Sequence, residues 1–313
     1  KNTMENNIKT IIHAGDLMDR RKVVNSNILS QVRTRFIDKL KDNDIDFHCI
    51  LGNHDIYYRN TNHINSAKEL FDRDIQVYEE PKVVNFDGLD IAFLPWVNKE
   101  NYDEYINFVK TAPAPILVAH LELDGYQVMR GIKYHGGMDP EIFSRYEKVL
   151  SGHFHCKHEK GNIYYLGTQY QITFSDLHEA KGFHVLDTET RELEFIENPL
   201  KMFYILTYND KEDFDIENMD FSHLKNAYIR LNVENKNEPY KFDRFMDKLY
   251  NAGVAKITTV EEFSDITEDE EMIDMAQDTI TLINTEVDGM DGVKDKEKMK
   301  RLIRDLYMES LSL

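Results

Sequence analysis

Four apolar segments of this sequence each run directly into polar side chains that are able to bind a metal ion or transfer a proton. The four stretches read TIIHAGDLMDR, DFHCILGNHD, APILVAH and YEKVLSGHFH. Short apolar runs of this kind are typical of buried strands, and in open α/β sheets ligands bind outside the carboxyl ends of the strands. Polar groups that follow separate strands can therefore meet at one edge, and this constraint limits the fold more than any other feature of the chain.

The residue types in these clusters indicate a divalent metal site. Oxygen ligands from Asp and Asn, combined with imidazole, suit Mn²⁺, Fe²⁺ or Zn²⁺. Two ions about 3.5–4 Å apart, bridged by one carboxylate, stabilise both oxygens of an in-line displacement at phosphorus. Taken alone, an Asp after a strand is more often a helix N-cap, and a single His such as His120 is more often a core residue. The closely spaced pairs in GNHD and GHFH, and the order of all the clusters, favour the metal site.

The pattern over residues 1 to about 200 predicts a layered α/β domain. Apolar strand candidates alternate with helical periodicity, and the longest helix is predicted for Val24–Leu40, where apolar residues recur at Ile28, Val32 and Phe36. Later segments resemble an antiparallel meander, so a pair of sheets with helices outside them accounts for both patterns. The strand candidates are Thr10–Ala14, Phe47–Leu51, Ile91–Leu94, Ile116–Ala119 and Lys148–Leu150, followed by Asn162–Leu166, Gly182–Asp187 and Leu193–Glu197.

A smaller α+β unit is predicted after residue 200. Strands at Phe203–Tyr208, Ala227–Val233 and Val254–Val260 accompany a helix at Phe242–Asn251, and Gly253 stands where a glycine commonly ends a helix. An acidic linker and two amphipathic helices follow: Glu261–Glu271, then a stripe of Met272, Ala276, Ile280 and Ile283, then a stripe of Met299, Leu302, Ile303, Leu306 and Leu313.

Composition narrows the class of protein. No apolar run approaches the ~18 residues of a membrane helix, and no secretory leader is visible. Two cysteines, Cys49 and Cys156, form no disulfide framework and indicate a reducing cytoplasm. The net charge of −19 argues against a broad basic surface that coats DNA. It does not exclude a DNA enzyme, because bound divalent cations reverse the local field at an active site.

The motifs GDLMDR, GNHD, AH and GHFH, in this order, resemble the calcineurin-like metallophosphoesterase family over roughly residues 10–200. GHFH followed by IYYLGTQYQITF and KGFHVLDTET, together with LPWVNKEN and AHLELDGYQV, is similar to the SbcD-type recombination nucleases, especially those of tailed phages. The resemblance implies an α/β layered metallophosphoesterase fold, with two sheets flanked by helices. It assigns residues 1–199 to the nuclease domain, 200–262 to a small α+β capping domain and 263–313 to a linker and ATPase-docking helices.

The resemblance also implies a set of metal ligands. Asp16 is expected to bridge two divalent ions, which we expect to be Mn²⁺, with Mg²⁺ as the alternative. Asn53, His120 and His153 are expected to complete the shell of one ion, and His155 is expected to bind the other.

Catalytic roles follow in the same way. His54 is expected to be the catalytic histidine that protonates or stabilises the leaving oxygen. Asp19 stands three residues after Asp16, where related phosphatases place the carboxylate that orients this histidine. Arg20 is expected either to contact the substrate phosphate or to form a surface salt bridge, and Asp55 is a weaker candidate for support of the ligands.

One family motif is absent from the printed sequence. The family opens with a strand that ends in Asp, any residue, His, which supplies further ligands for the ion bound by His155. We expect the natural protein to carry this motif upstream of Lys1. The chain as printed would then lack a first strand and hold one ion weakly.

The resemblance implies that this protein is a metal-dependent DNA exonuclease and endonuclease subunit of a recombination and double-strand-break repair complex. The expected partners are DNA and an SMC-like coiled-coil ATPase of the SbcC type, with a homodimer inside a heterotetramer in the host cytoplasm and no membrane contact. The terminal stripe at Met299 is expected to dock on the ATPase, unless it folds back on its own domain. The alternatives are another metallophosphoesterase, such as a protein phosphatase or cyclic-nucleotide phosphodiesterase, and a catalytically impaired scaffold that holds the ATPase.

Overall fold

The computed structural model describes residues 7–129, 132–212 and 215–261, together with positions 287, 296 and 298–300. The chain divides into two compact units, of which the first comprises Lys1–Gln169 and Glu179–Asn198 and the second Tyr170–His178 and Pro199–Leu313. The segment Tyr170–His178, which the sequence pattern assigns to the first domain, thus belongs to the second unit. Among the described residues, no helix combines the length and apolar character needed to cross a bilayer.

A parallel three-stranded sheet opens the first unit. Its strands are β1 (Thr10–His13), β2 (Asp46–Ile50) and β3 (Gln76–Tyr78), in that order. The helix predicted between β1 and β2 is present but interrupted: α1 (Ser26–Val32) leads through a π-helical turn at Arg33–Ile37 into α2 (Asp38–Asp42), and α3 (Ser66–Phe71) precedes β3. Asn25 starts α1, because its side-chain oxygen accepts hydrogen bonds from the main-chain N–H groups of Asn27 and Ile28.

A six-stranded mixed sheet forms the centre of the same unit. The remaining elements of the unit, in chain order, are β4 (Lys82–Phe86), β5 (Leu89–Leu94), α4 (Tyr102–Thr111), β6 (Ile116–His120), the hairpin β7 (Gln127–Met129) and β8 (Ile132–Lys133), β9 (Lys148–Gly152), β10 (His158–Lys160), β11 (Ile163–Tyr165), and the hairpin β12 (Gly182–Leu186) and β13 (Leu193–Glu197). The strand order of the six-stranded sheet is β10-β11-β9-β6-β5-β4, with parallel pairs in the middle and antiparallel pairs at both edges.

The two larger sheets pack face to face and carry helices on their outer faces. Strand β6 is buried along its whole length, which explains its uninterrupted apolar sequence. Phe93 and Val118 face the three-stranded sheet and pack with Ile50 in one cluster. The residues that alternate with these along β5 and β6, such as Leu94, face the opposite side of the sheet. There Tyr105 and Val109 of α4 cover them. The expected pair of sheets with helices outside is therefore present.

The second unit contains a parallel sheet covered by one long helix. Its strands are β14 (Phe203–Asn209), β15 (Tyr228–Asn235) and β16 (Lys256–Glu261), and α5 (Pro239–Asn251) connects the last two. Helix α5 buries Phe242, Phe245 and Leu249 in the core of this unit. Gly253 has φ +76°, as expected for a glycine that ends a helix. Short 3₁₀ turns of this unit lie at Phe174–His178, Ile216–Asn218 and Ser222–Leu224, and one of the first unit lies at Pro140–Phe143.

The predicted segments at the end of the chain lie almost entirely outside the described residues. Glu261 belongs to β16, and the rest of the acidic linker is not described. Of the two predicted amphipathic stripes, only Met299 falls on a described position. The other members, Met272, Ala276, Ile280 and Ile283 in the first stripe and Leu302, Ile303, Leu306 and Leu313 in the second, lie outside the described residues.

Candidate metal centre

The carboxyl ends of four strands, two from each large sheet, converge in the first unit. Asp16 follows β1 and Asn53 follows β2 in the three-stranded sheet, while His120 ends β6 and His153 follows β9 in the six-stranded sheet. These are four of the five ligands expected from the sequence. The structure therefore brings together side chains that are up to 137 positions apart, because the sheets face each other with these strand ends side by side.

The ligand atoms lie close enough for one ion. His120 Nε2 lies 3.2 Å from Asp16 Oδ2 and 3.1 Å from Asn53 Oδ1. His153 Nδ1 lies 3.1 Å from the same Asn53 oxygen. One ligand atom each from Asp16, His120 and His153 falls within 4.8 Å of the others. A carboxylate, an amide oxygen and two imidazoles fit a divalent cation of the Mn²⁺, Fe²⁺ or Zn²⁺ type.

The orientation of His120 is fixed by a bond to the opposite sheet. Its Nδ1 donates to the main-chain oxygen of Ala14 at 2.7 Å, so Nε2 is the nitrogen that faces Asp16. Burial disfavours the charged imidazole, but the Asp16 carboxylate and the Ala14 carbonyl raise the pKa of His120 above its usual value. In turn, burial would raise the pKa of Asp16, but His120 and His54 lower it well below its usual range. A metal ion would thus replace a proton between Asp16 and His120.

Glycines allow the loops to approach this closely. A Cβ at Gly52 would overlap Asp16 Oδ1 and stand 2.5 Å from the Asp16 main-chain nitrogen. A Cβ at Gly152 would collide with the Ala14 oxygen and stand 3.0 Å from His120 Nδ1. The glycine in GNHD is therefore required by the space beside Asp16, and the glycine in GHFH by the space beside His120.

Two of the candidate ligands adopt main-chain conformations that L-residues rarely adopt. Asp16 has φ +59° and His153 has φ +87°. Such conformations cost about 1–3 kcal/mol each and persist where the surrounding structure imposes them. Their coincidence with the ligand positions indicates that the main chain is strained in order to point these side chains at a common centre.

A fully buried carboxylate holds two of the ligand loops together. Asp55 accepts hydrogen bonds from the main-chain N–H groups of Asp16 and Gly52 at 2.8 Å, of Leu17 at 2.9 Å and of Met18 at 3.4 Å. Burial and the charge of Asp16 raise the pKa of Asp55 to about 6, so it is mostly ionised near neutral pH. The sequence indicated only a weak supporting role for this residue.

Trp96 packs against both histidines of the centre. Its ring centroid lies 5.8 Å from that of His120 and 5.4 Å from that of His153. The sequence analysis used the segment LPWVNKEN that contains it, but gave the residue no role at the site, although it is the single tryptophan of the chain and directly follows the apolar strand β5 and Pro95. Its fluorescence should therefore respond to binding of an ion at the centre.

His54 lies at the edge of the centre and is oriented by a main-chain group. The main-chain N–H of His54 donates to Asp16 Oδ1 at 2.7 Å, and the ring nitrogen Nδ1 lies 2.6 Å from the main-chain oxygen of Asp19. Because that carbonyl can only accept, Nδ1 carries the proton and Nε2 is left for a substrate. The contact expected from the Asp19 carboxylate is thus made by the Asp19 carbonyl, while the carboxylate itself is exposed.

Two other selected residues are not part of the ligand group. Among the described residues, the group that fits one ion contains Asp16, His120 and His153 but not His155, whose carbonyl accepts from Lys181 Nζ at 2.9 Å. Arg20 is exposed, whereas the next residue, Arg21, turns back to the centre and donates from Nε to the main-chain oxygen of Asn53 at 3.0 Å. The adjacent basic pair in the sequence gave no signal as to which arginine would do so.

Replacement of Asp55 by Ala should destabilise the first unit. It would leave several buried N–H groups without an acceptor, so the free energy of unfolding should fall by about 2–4 kcal/mol. Denaturant unfolding measures this change. Asp139→Ala is the matched control, because exposed Asp139 accepts, among the described residues, from one N–H group, that of Glu141, and its loss should cost about 1 kcal/mol or less. Equal losses in the two variants would contradict the role given to Asp55.

Replacement of His120 or His153 by Ala should weaken binding of Mn²⁺ by at least about 10- to 100-fold, since each removes a donor from the centre. Isothermal titration calorimetry gives the affinity, and quenching of Trp96 fluorescence locates the ion. His63→Ala is the control, because His63 is an exposed histidine of the same unit. An unchanged affinity in His120→Ala would rule out this centre.

Comparisons with known proteins agree with the motifs. The sequence pattern of the calcineurin-like phosphoesterase family matches residues 2–157. The chain is also similar to a protein named exonuclease subunit 1 of Enterobacteria phage T4, with 34% identity over 312 residues that cover 98% of this chain and 89% of that protein. The resemblance inferred from the motifs is therefore confirmed at the level of the family. The chain belongs to the calcineurin-like phosphoesterase family.

Proposed function

We propose that this protein is the nuclease subunit of a DNA recombination and double-strand-break repair complex, and that it hydrolyses phosphodiester bonds with divalent metal ions. The observation that carries the proposal is the convergence of Asp16, Asn53, His120 and His153, with His54 beside them. The similarity over nearly the whole chain to a protein named as an exonuclease subunit supports DNA as the substrate.

We propose that the reaction uses two divalent ions, either Mn²⁺ or Mg²⁺. When bound, such ions neutralise charge on the non-bridging phosphate oxygens and lower the pKa of the attacking water. Asp16, Asn53, His120 and His153 would hold one ion, and His155 together with Asp16 would serve the other. Asp16 suits the shared role, because its two carboxylate oxygens point in different directions: Oδ2 faces His120 and Oδ1 faces the His54 N–H group.

His54 would assist the departing 3′-oxygen. The Asp19 carbonyl holds Nδ1 and can stabilise the positive charge of a doubly protonated imidazole, which leaves Nε2–H to donate to the leaving group. The main-chain N–H of His54 donates to Asp16, and this hydrogen bond fixes the position of His54 at the centre without using its ring. The ring can therefore be removed by mutation while the bond to Asp16 is kept.

The His54→Ala variant tests this role. Mn²⁺-dependent cleavage of linear DNA should fall by about 10²- to 10⁴-fold, since proton transfer contributes on that scale. Hydrolysis of bis(p-nitrophenyl) phosphate should fall much less, because p-nitrophenolate leaves without a proton. Asp19→Ala, which keeps the carbonyl, should lose far less DNA cleavage than His54→Ala. Equal losses on both substrates would refute proton donation by His54, and a wild-type protein that hydrolyses only phosphomonoesters would refute the nuclease.

The proposed partner is an SMC-like coiled-coil ATPase, bound by the C-terminal region, in a heterotetramer that contains two nuclease subunits. The amphipathic stripes in the sequence after residue 271 support this, since such helices commonly bind a groove on another protein. The word subunit in the name of the T4 protein is consistent with a complex. If the gene is carried by a phage, the complex would act in the cytoplasm of the host.

Deletion of residues 263–313 separates binding from catalysis. The truncated chain should lose binding to the ATPase, as measured by co-purification, and should keep Mn²⁺-dependent DNA cleavage, because all the proposed ligands, His155 included, precede residue 156. Substitution of Leu302 and Leu306 by Asp in the full chain is the finer test of the predicted stripe. A truncated chain that still assembles with the ATPase would contradict the proposed docking segment.

A further inference from the structure

The loop Tyr57–Ile64 projects from a rigid base immediately after the candidate active site. Ile56 and Asn65 form an isolated antiparallel bridge, and the Tyr57 N–H donates to the Ile64 carbonyl at 2.8 Å. Inside the loop, the buried Asn62 donates to the Trp96 carbonyl at 3.1 Å. The two ends of the loop are thus joined by main-chain contacts, and Asn62 binds the middle of the loop to the domain. Its exposed side chains therefore have a defined position.

The outer surface of this loop is aromatic. Tyr57 is 40% exposed and Tyr58 is 52% exposed, and their rings meet edge to face with centroids 4.8 Å apart. Ile64 is exposed beside them. Among the described residues, neither tyrosine side chain has a hydrogen-bond partner, so removal of either ring breaks no hydrogen bond there. Tyr57 stands only three residues after His54.

Two arginines accompany the tyrosines. Arg21 Nε is held by the Asn53 carbonyl at 3.0 Å, and within the described part of the chain its two Nη groups have no acceptor. Arg59 lies next to Tyr58 in the sequence, and within the same described part of the chain it likewise makes no ion pair. Burial lowers the pKa of Arg21, the positive charge of Arg59 lowers it further, and the Asp16 carboxylate raises it. Guanidinium groups that form no ion pair among the described residues are suited to phosphate.

Resting on the proposed nuclease function, we propose that the Tyr57–Ile64 loop and Arg21 form a binding site for the unpaired nucleotides that flank the scissile phosphate. Bases stack on Tyr57 and Tyr58, and the phosphates between them bind Arg21 and Arg59. Exposed aromatic faces next to cations are the common means of binding single strands. Bases inside a duplex are already stacked on each other, so the site selects a frayed end or a single strand over continuous duplex.

Binding of a single strand in the presence of EDTA tests the proposal independently of cleavage. The probes are a fluorescein-labelled oligothymidylate and an abasic strand with the same number of phosphates, measured by fluorescence anisotropy. Y57A/Y58A should bind oligothymidylate about tenfold more weakly than wild type or worse. Its affinity for the abasic strand should equal that of wild type. R21Q/R59Q should weaken both strands and reduce the salt dependence of binding, by about 0.7 in the log–log slope for each phosphate that the variant no longer neutralises.

Matched variants separate stacking from misfolding. Y57F/Y58F keeps both rings and should bind oligothymidylate like wild type. Tyr102→Ala removes an exposed tyrosine elsewhere in the same unit and should have no effect. Wild-type affinity of Y57A/Y58A for oligothymidylate, or an equal loss on both strands, would overturn the proposal. Failure of the nuclease function itself would show differently, as an absence of Mn²⁺-dependent DNA cleavage by the wild-type protein.

Discussion

The geometry of the metal centre depends on a buried carboxylate that does not belong to the ligand group. Asp55 accepts N–H groups from the loop after β1, at Asp16, Leu17 and Met18, and from Gly52 in the loop after β2. These bonds hold the left-handed main chain at Asp16 and set the separation between Asp16 and Asn53. If the metal alone ordered the loops, the entropy of ordering them would be subtracted from its binding free energy. The hydrogen bonds of Asp55 order the loops when the protein folds, so this entropy is not subtracted from the binding free energy of the metal.

A second constraint joins the two sheets. The bond from His120 Nδ1 to the Ala14 carbonyl crosses from β6 to the residue after β1, so it selects the tautomer of a ligand and ties the two sheet edges together. The apolar cluster around Ile50, Phe93 and Val118 packs behind this link. Packing between the sheets and the direction of the ligands are therefore coupled, and a core mutation at this interface should also alter metal affinity.

The sequence predicted the elements better than the supports of the site. The strands β1, β2, β6 and β9 and the candidate ligands at their ends were visible because buried strands are apolar and glycine and histidine follow them at short spacing. Asp55, Trp96 and Arg21 were weakly indicated or missed, since their roles arise from contacts across the fold that no local pattern encodes. The Asp19 carboxylate was selected for a contact that the Asp19 carbonyl makes, because side-chain identity alone does not reveal main-chain acceptors.

The net charge of −19 is unfavourable for an enzyme that acts on a polyanion if it is taken as a whole, but the relevant field is local. At physiological ionic strength, charges more than about 8 Å away are largely screened at the surface. Around the centre, the charges of two divalent ions, Arg21 and Arg59 would outweigh those of Asp16 and Asp55, so attraction would be confined to the scissile phosphate and its neighbours. The acidic remainder of the chain disfavours DNA elsewhere on the surface. This distribution is consistent with the proposed nuclease, which would engage strand ends at one place and leave broader contact with duplex DNA to the proposed partner.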